Sequence, residues 1–207
     1  GPSMTDLLTS IQAALGLPHT PIAFTASGAL PSAFAVTDLA CASIAAAGQA
    51  VSELLLKQTG HLPTVEVDRR LASFWFSSSL RPIGWQVPPL WDPIAGDYPT
   101  RDGWIRLHTN APHHRAAAER VLGACADRAA MAAKVAQWTS TELEQAVVEA
   151  KGCAAEMRSW AQWQQHPQGL AVNAEPLVHF LESQDERNKP WQGSVAQPLA
   201  GIKVLDL

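Results

Sequence analysis

The stretch TDLACASIAAAGQAVSELLLKQTG, residues 37–60, sets the fold class. At helical spacing it carries Ala40, Ile44, Ala47, Val51 and Leu55, an apolar stripe that is small at its start and large at its end. The spacing predicts one long helix. Thr37 or Asp38 can cap it, Lys57 complements the negative end of the helix dipole, and Gly60 supplies a left-handed stop. Small side chains at its start let another backbone approach closely near Asp38.

On the N-terminal side, residues 1–3 read as a protease-cleavage scar ahead of a native Met4. Thr5 can cap a first helix with Leu7, Leu8, Ile11 and Leu15 on its apolar face, and Gly16 and Pro18 end it. The Pro-, Gly-, Ser- and Thr-rich stretch at 18–34 reads as loop. Beyond the long helix, TVEVD at 64–68 alternates Val65 and Val67 with polar residues and predicts a short strand. A helix over 69–80 is expected to bury Leu71, Phe74 and Trp75, and residues 81–99 read as a crossing segment. YPTRDGWIRLHTN at 98–110 predicts a hairpin with a two-residue turn at Asp102-Gly103. Helices are predicted over 112–124, 131–138 and 140–160, the last capped by Ser140 or Thr141. Residues 164–197 are polar and Pro-punctuated, and read as a linker to the final PLAGIKVLDL. There Ile202, Val204, Leu205 and Leu207 have the profile of a strand buried in a parallel sheet.

Composition narrows the class. With 207 residues, 47% of them hydrophobic and 16% charged, the chain can form a sizeable core. A net charge of −4 and a pI near 6.0 give no electrostatic reason to expect nucleic acid or an anionic membrane as partner. No unbroken apolar stretch is long enough to span a bilayer. Cys41, Cys125 and Cys153 are odd in number and lack CxxC spacing, which points to the cytoplasm and to neither a disulfide framework nor a zinc site. No phosphate-binding GxGxxG or GxxxxGK[ST] loop occurs.

Three stretches together resemble the family III coenzyme A transferases, which include formyl-CoA and carnitine CoA-transferases and α-methylacyl-CoA racemases. PLAGIKVLDL is similar to the opening strand of that family's Rossmann-like large domain. KQTGHLPTVEVDRRLASF is similar to the TGxGxxV-strand-helix segment after the catalytic helix, with His61-Leu62-Pro63 in place of the Gly-rich link. YPTRDGWIRLH is similar to the hairpin that begins the small domain. The order is cyclically changed, with the usual first strand last. The resemblance implies an α+β fold, mostly helical with a small antiparallel sheet, ending on the first strand of a Rossmann-like domain. It divides the chain into 4–90, resembling the catalytic-helix part of the large domain, a small domain at 91–163, a return linker at 164–197, and the start of the Rossmann-like domain at 198–207. The chain would be the N-terminal part of a duplicated or rearranged member.

By the same resemblance, Asp38 occupies the place of the catalytic carboxylate. In the transferases that carboxylate attacks the acyl-CoA thioester and carries CoA as an aspartyl thioester. A helix start suits it, since backbone N–H groups and the dipole keep it ionised and stabilise a developing oxyanion. The implied activity is transfer of CoA between carboxylic acids, with acyl-CoA and a carboxylic acid as substrates, the CoA thioester a substrate and no permanently bound cofactor. One alternative is α-epimerisation of an acyl-CoA, with Asp38 as acid/base. Another is a non-catalytic half kept for scaffolding or dimerisation, favoured by Ala42 and Ile44 where the family places glycine. A homodimer completed by a missing C-terminal half is implied. By residue type alone, Asp38 also fits an ordinary helix cap. His113, His114 and Arg115 read as a solvated helix start, because adjacent helical residues point about 100° apart and no third ligand is suitably spaced. His108 reads as a surface residue, Glu66 and Asp68 as a solvent face, and Trp75, Trp104 and Trp138 as packing residues.

Overall fold

The computed structural model describes residues 1–77, 80–182 and 189–207. Among these residues eight α-helices and five strands form an α+β chain. It divides into two units, Gly1–Arg81 with Glu175–Leu207, and Pro82–Ala174.

The first unit contains α1 (Met4–Leu15), β1 (Ala23–Thr25), α2 (Val36–Thr59), β2 (Glu66–Asp68) and α3 (Arg69–Ser73), followed by a 3₁₀ turn at Phe74–Phe76. Ser3, not Thr5, caps α1. Its hydroxyl accepts from the Asp6 N–H at 3.2 Å, while the Asp6 carboxylate accepts from the Ser3 N–H at 3.1 Å, a reciprocal capping box. α2 has the expected span, with Lys57 in its last turn and Gly60 left-handed at φ 79°. Its N-cap is Ala35, which makes no side-chain bond, so neither Thr37 nor Asp38 caps the helix.

The buried face of α2 is rotated from the predicted stripe. Ala40, Cys41, Ala42, Ala45, Ala46 and Leu55 are buried, Ile44 and Val51 are partly so, and Ala47 is exposed. An alanine face this wide lets α1 and α3 both come close, joined in the core by Leu8, Val67 and Ala72. Gln49 is buried on the same face because its polar atoms are satisfied: Gln12 Nε2 donates to its Oε1 at 2.7 Å, and its own Nε2 donates to the Pro18 carbonyl. Within the described residues α2 is the helix that is long and apolar enough to cross a membrane, and core packing against α1 and α3 accounts for its apolar face.

β1 lies in the stretch predicted as loop. It pairs parallel with β2 in the register Ala23↔Glu66, Phe24↔Val67, Thr25↔Asp68. α3 is shorter than predicted, and Leu71, Phe74 and Trp75 are exposed while Ala72 and Ser73 are buried. Ala72 and Ser73 are the residues of α3 turned toward α2, and the large side chains lie on its outer side. The end of that predicted helix includes residues 78–79, which lie outside the described residues, as does 183–188 of the predicted linker. Residues 202–207 form no strand and are exposed. A strand is held by its ladder, and none of the described strands pairs with them.

The second unit contains β3 (Gly96–Pro99), β4 (Trp104–Leu107), α4 (Pro112–Leu122), α5 (Arg128–Val135), α6 (Ser140–Glu149), β5 (Ala154–Glu156), α7 (Trp160–Gln165) and α8 (Pro167–Ala174). The strands form an antiparallel sheet in the order β3-β4-β5. Ile105 and Leu107 point from its central strand into a core with Ile94, Tyr98, Met131, Val135, Leu143 and Val147. Trp104, on the opposite face, is half exposed, whereas Trp138 packs against the core as predicted. The hairpin is real, but its two central residues are displaced by one position from the predicted Asp102-Gly103. Pro99 pairs with Trp104, and the Thr100 N–H donates to the Gly103 carbonyl at 2.8 Å, which puts Arg101 and Asp102 at the centre. The hydrogen bond from the Ser140 N–H, at 2.8 Å, helps hold the Asp102 carboxyl below the usual range and ties the turn to α6.

α6 stops at Glu149, capped by Thr139 rather than Ser140 or Thr141. Lys151 takes φ 68° ahead of Gly152, and the chain returns as β5, pairing Leu107↔Ala154 and Ile105↔Glu156. α7 and α8 replace the start of the predicted linker. A Cβ at Gly169 would lie 1.9 Å from the Trp163 carbonyl oxygen, so glycine is what lets α8 lie against α7.

Asp92 anchors one edge of this unit. Its carboxylate accepts from the Ile94 N–H at 3.0 Å, the Thr109 hydroxyl at 3.0 Å and Arg115 Nη1 at 2.8 Å. Burial pushes the Asp92 carboxyl up, but these three donors outweigh burial and hold it below its ordinary value. A depressed folded pKa gives stability that is full above the unfolded value, about 3.9, and lost as pH falls through the folded one. The urea midpoint of the second unit is therefore expected to fall below about pH 4, and Asp92→Asn to flatten that acid limb. Equal acid slopes for the two proteins would remove Asp92 from the account.

Candidate functional site

The first turn of α2 holds Asp38, the carboxylate that the resemblance singles out. Thr37, buried at its start, accepts a hydrogen bond from the Leu30 N–H at 2.9 Å and shares one with the Ser73 hydroxyl at 2.8 Å. Its oxygen thus joins the preceding loop, α2 and α3. Because α3 follows β2 without a linker, this junction brings Arg69, the first residue of α3, beside Asp38 in the first turn of α2.

Arg69 Nη1 lies 2.7 Å from Asp38 Oδ1, with the side chains 21% and 26% exposed. The same guanidinium donates through Nε to the Gly28 carbonyl at 2.6 Å, fixing the loop before α2. Asp38 and Arg69 border a cleft of about 390 Å³ whose wall includes Phe34 and Val36. Cys41, one turn further on and fully buried, faces the same pair. Burial pushes its thiol pKa up, opposed by Arg69, and keeps it a neutral core group. Asp38 is therefore neither a helix cap nor a core residue. It is a partly exposed carboxylate, oriented by a guanidinium, beside open space.

The other residues singled out by sequence fall elsewhere. Asp68 caps α3, accepting from the Leu71 N–H at 2.9 Å, while Glu66 is exposed. His113 and His114 lie in the first turn of α4 with ring centroids 4.1 Å apart, and His108 packs edge-on to Trp91. Among the described residues, no group of three His, Cys, Asp or Glu side chains could hold a metal ion. A second cleft of about 440 Å³ is lined by Leu54, Gln58, Trp191 and Ile202, with Lys189 its one charged wall residue, so it offers no acid–base pair. Sequence reasoning missed Arg69. Its one signal is position, at the end of the strand that follows the long helix.

No family model and no curated protein matches the chain. Solved structures share its fold. The orthorhombic crystal structure of Rv3272 from M. tuberculosis is similar with a TM-score of 0.54 and 15% identity, over 84% of this chain and 51% of that one. A second crystal structure of Rv3272, described as a hypothetical protein from Mycobacterium tuberculosis, is similar with a TM-score of 0.51 and 17% identity, over 84% and 52%. An aspartate-to-alanine mutant of Rv3272 is similar with a TM-score of 0.54 and 14% identity, over 84% and 50%. At such identities the likeness is one of fold alone. The chain spans about half the length of these structures.

Proposed function

We propose that this chain is part of a family III coenzyme A transferase that moves CoA between carboxylic acids through an aspartyl-CoA intermediate on Asp38. The observation that carries the reading is the placement of the Asp38 carboxylate in the first turn of α2, partly exposed on a cleft and paired with Arg69 instead of serving as a cap. The carboxylate, oriented by the guanidinium, is the nucleophile. Ala40, Cys41 and Ala42 add no bulk around it. The three free thiols fit a cytoplasmic protein.

In this reading a carboxylate oxygen of Asp38 attacks the acyl-CoA carbonyl and expels the CoA thiolate. The thiolate attacks Cγ of the resulting anhydride and releases the donor acid. The acceptor carboxylate then attacks Cγ of the aspartyl thioester, again through an anhydride, and Asp38 is regenerated as CoA returns to the acyl carbon.

The test is mass spectrometry of the full-length protein after incubation with acetyl-, propionyl- or succinyl-CoA. A CoA-mass adduct on the peptide bearing Asp38 is expected, and its loss on treatment with hydroxylamine. No adduct with any donor would remove the covalent reading. The non-catalytic half is the rival reading, favoured by the burial of Ala42, Ala45 and Ala46, which fill the space just behind Asp38 with core.

A further inference from the structure

We propose that Arg69 is the carboxylate-binding residue of the transferase, alternating between Asp38 in the resting state and the acceptor acid once Asp38 carries CoA. The inference rests on the reading of Asp38 as the covalent carrier and deepens it by naming what recognises the second substrate.

Charge conservation carries it. At rest one negative charge, on Asp38, sits 2.7 Å from the Arg69 guanidinium. When Asp38 becomes a thioester that charge leaves with the donor acid, and the Asp38 side chain is neutral. Arg69 does not leave with it, because its Nε is tied to the Gly28 carbonyl at 2.6 Å. Its side chain is only 21% exposed, so solvent replaces the lost partner incompletely. A guanidinium that has lost its counter-ion and is only partly hydrated still draws an anion, and an incoming carboxylate takes the vacated place. The planar fork of arginine matches a carboxylate in shape as well as charge. Since Arg69 Nη1 contacts the oxygen of Asp38 itself, an acid bound there lies beside Cγ, the atom it must attack. The adjoining cleft of about 390 Å³, bordered by both side chains, has room for a small acid. The carboxylate oxygen then forms its bond to Cγ as the thioester C–S bond breaks, and the electron pair leaves on the CoA sulfur.

Asp38→Asn imitates the neutral side chain of the thioester without CoA. In the 207-residue chain, acetate binding is measured by isothermal titration against chloride at matched ionic strength. Asp38→Asn is expected to bind acetate at least about tenfold more tightly than the unaltered chain, and the Asp38→Asn/Arg69→Gln double variant is expected to lose that gain. Asp38→Ser serves as a second neutral variant, and thermal unfolding establishes that each protein is folded. Equal acetate affinity in the single and double variants, or no gain in either neutral variant, would overturn the role of Arg69. Failure of the covalent reading shows separately, as the missing CoA adduct on the unaltered full-length protein.

Discussion

On the proposed reading, Asp38→Ala in the full-length protein is expected to lower kcat for CoA transfer by more than about 10³-fold, with the CoA adduct absent from its mass spectrum. The size follows from the role. A covalent carrier has no substitute within reach, and the neighbouring nucleophile, Cys41, is fully buried and held as a thiol. The substitution also removes the ion pair with Arg69, but both partners are partly solvated and such pairs contribute about 0–1 kcal/mol. Thr37, Leu30 and Ser73 still hold the junction together. The melting temperature is therefore expected to move little while turnover collapses, and that separation distinguishes a lost nucleophile from a damaged fold. Steady-state kinetics beside a thermal melt reads both. An unchanged kcat would exclude Asp38 as carrier and leave the non-catalytic half as the standing account.

Leu107→Ala destabilises the second unit by about 2–5 kcal/mol. Leu107 is fully buried on β4, which is flanked by β3 and β5, so the backbone around the lost methyl groups cannot collapse inward without breaking a ladder. Both the transfer free energy and the cavity are then felt in full. Leu205→Ala is the internal control. It deletes the same atoms from an exposed side chain in the terminal segment, and its effect is expected within about 0.5 kcal/mol of zero. Urea unfolding of the two variants checks the contrast, and similar midpoints would mean that the sheet is not the structural centre of its unit.

What could be seen in the sequence divides along physical lines. α2 was legible because it carries its own periodicity and its own stop signal, Gly60, while α4 and α5 were located to within a few residues at their ends. The hairpin itself was equally local, but Trp104, expected to pack, is half exposed on the face opposite Ile105 and Leu107. β5 was not legible. Its Ala154-Ala155-Glu156 favours helix by composition, and pairing with β4 overrides that preference once Lys151 and Gly152 end α6. β1 was hidden in a Pro- and Thr-rich stretch and exists only because β2 lies beside it. Large side chains misled at α3. Leu71, Phe74 and Trp75 suggested a buried face, but it is Ala72 and Ser73 that α3 turns inward. Asp38 was singled out by the family resemblance, since by position alone it fits an ordinary cap, whereas Arg69 becomes meaningful only when α3 folds back onto that helix start.

The sequence contains a single tyrosine, and it is Tyr98, in the core of the second unit with its hydroxyl donating to the Ile94 carbonyl at 2.6 Å and Arg128 stacked over its ring. Burial raises the phenol pKa above its ordinary value despite the nearby guanidinium. Nature has thereby installed one optical gauge. In alkaline titrations the phenolate absorbance band near 295 nm should lag behind that of free tyrosine and rise only as this unit opens, so ultraviolet spectra follow its unfolding with no label attached.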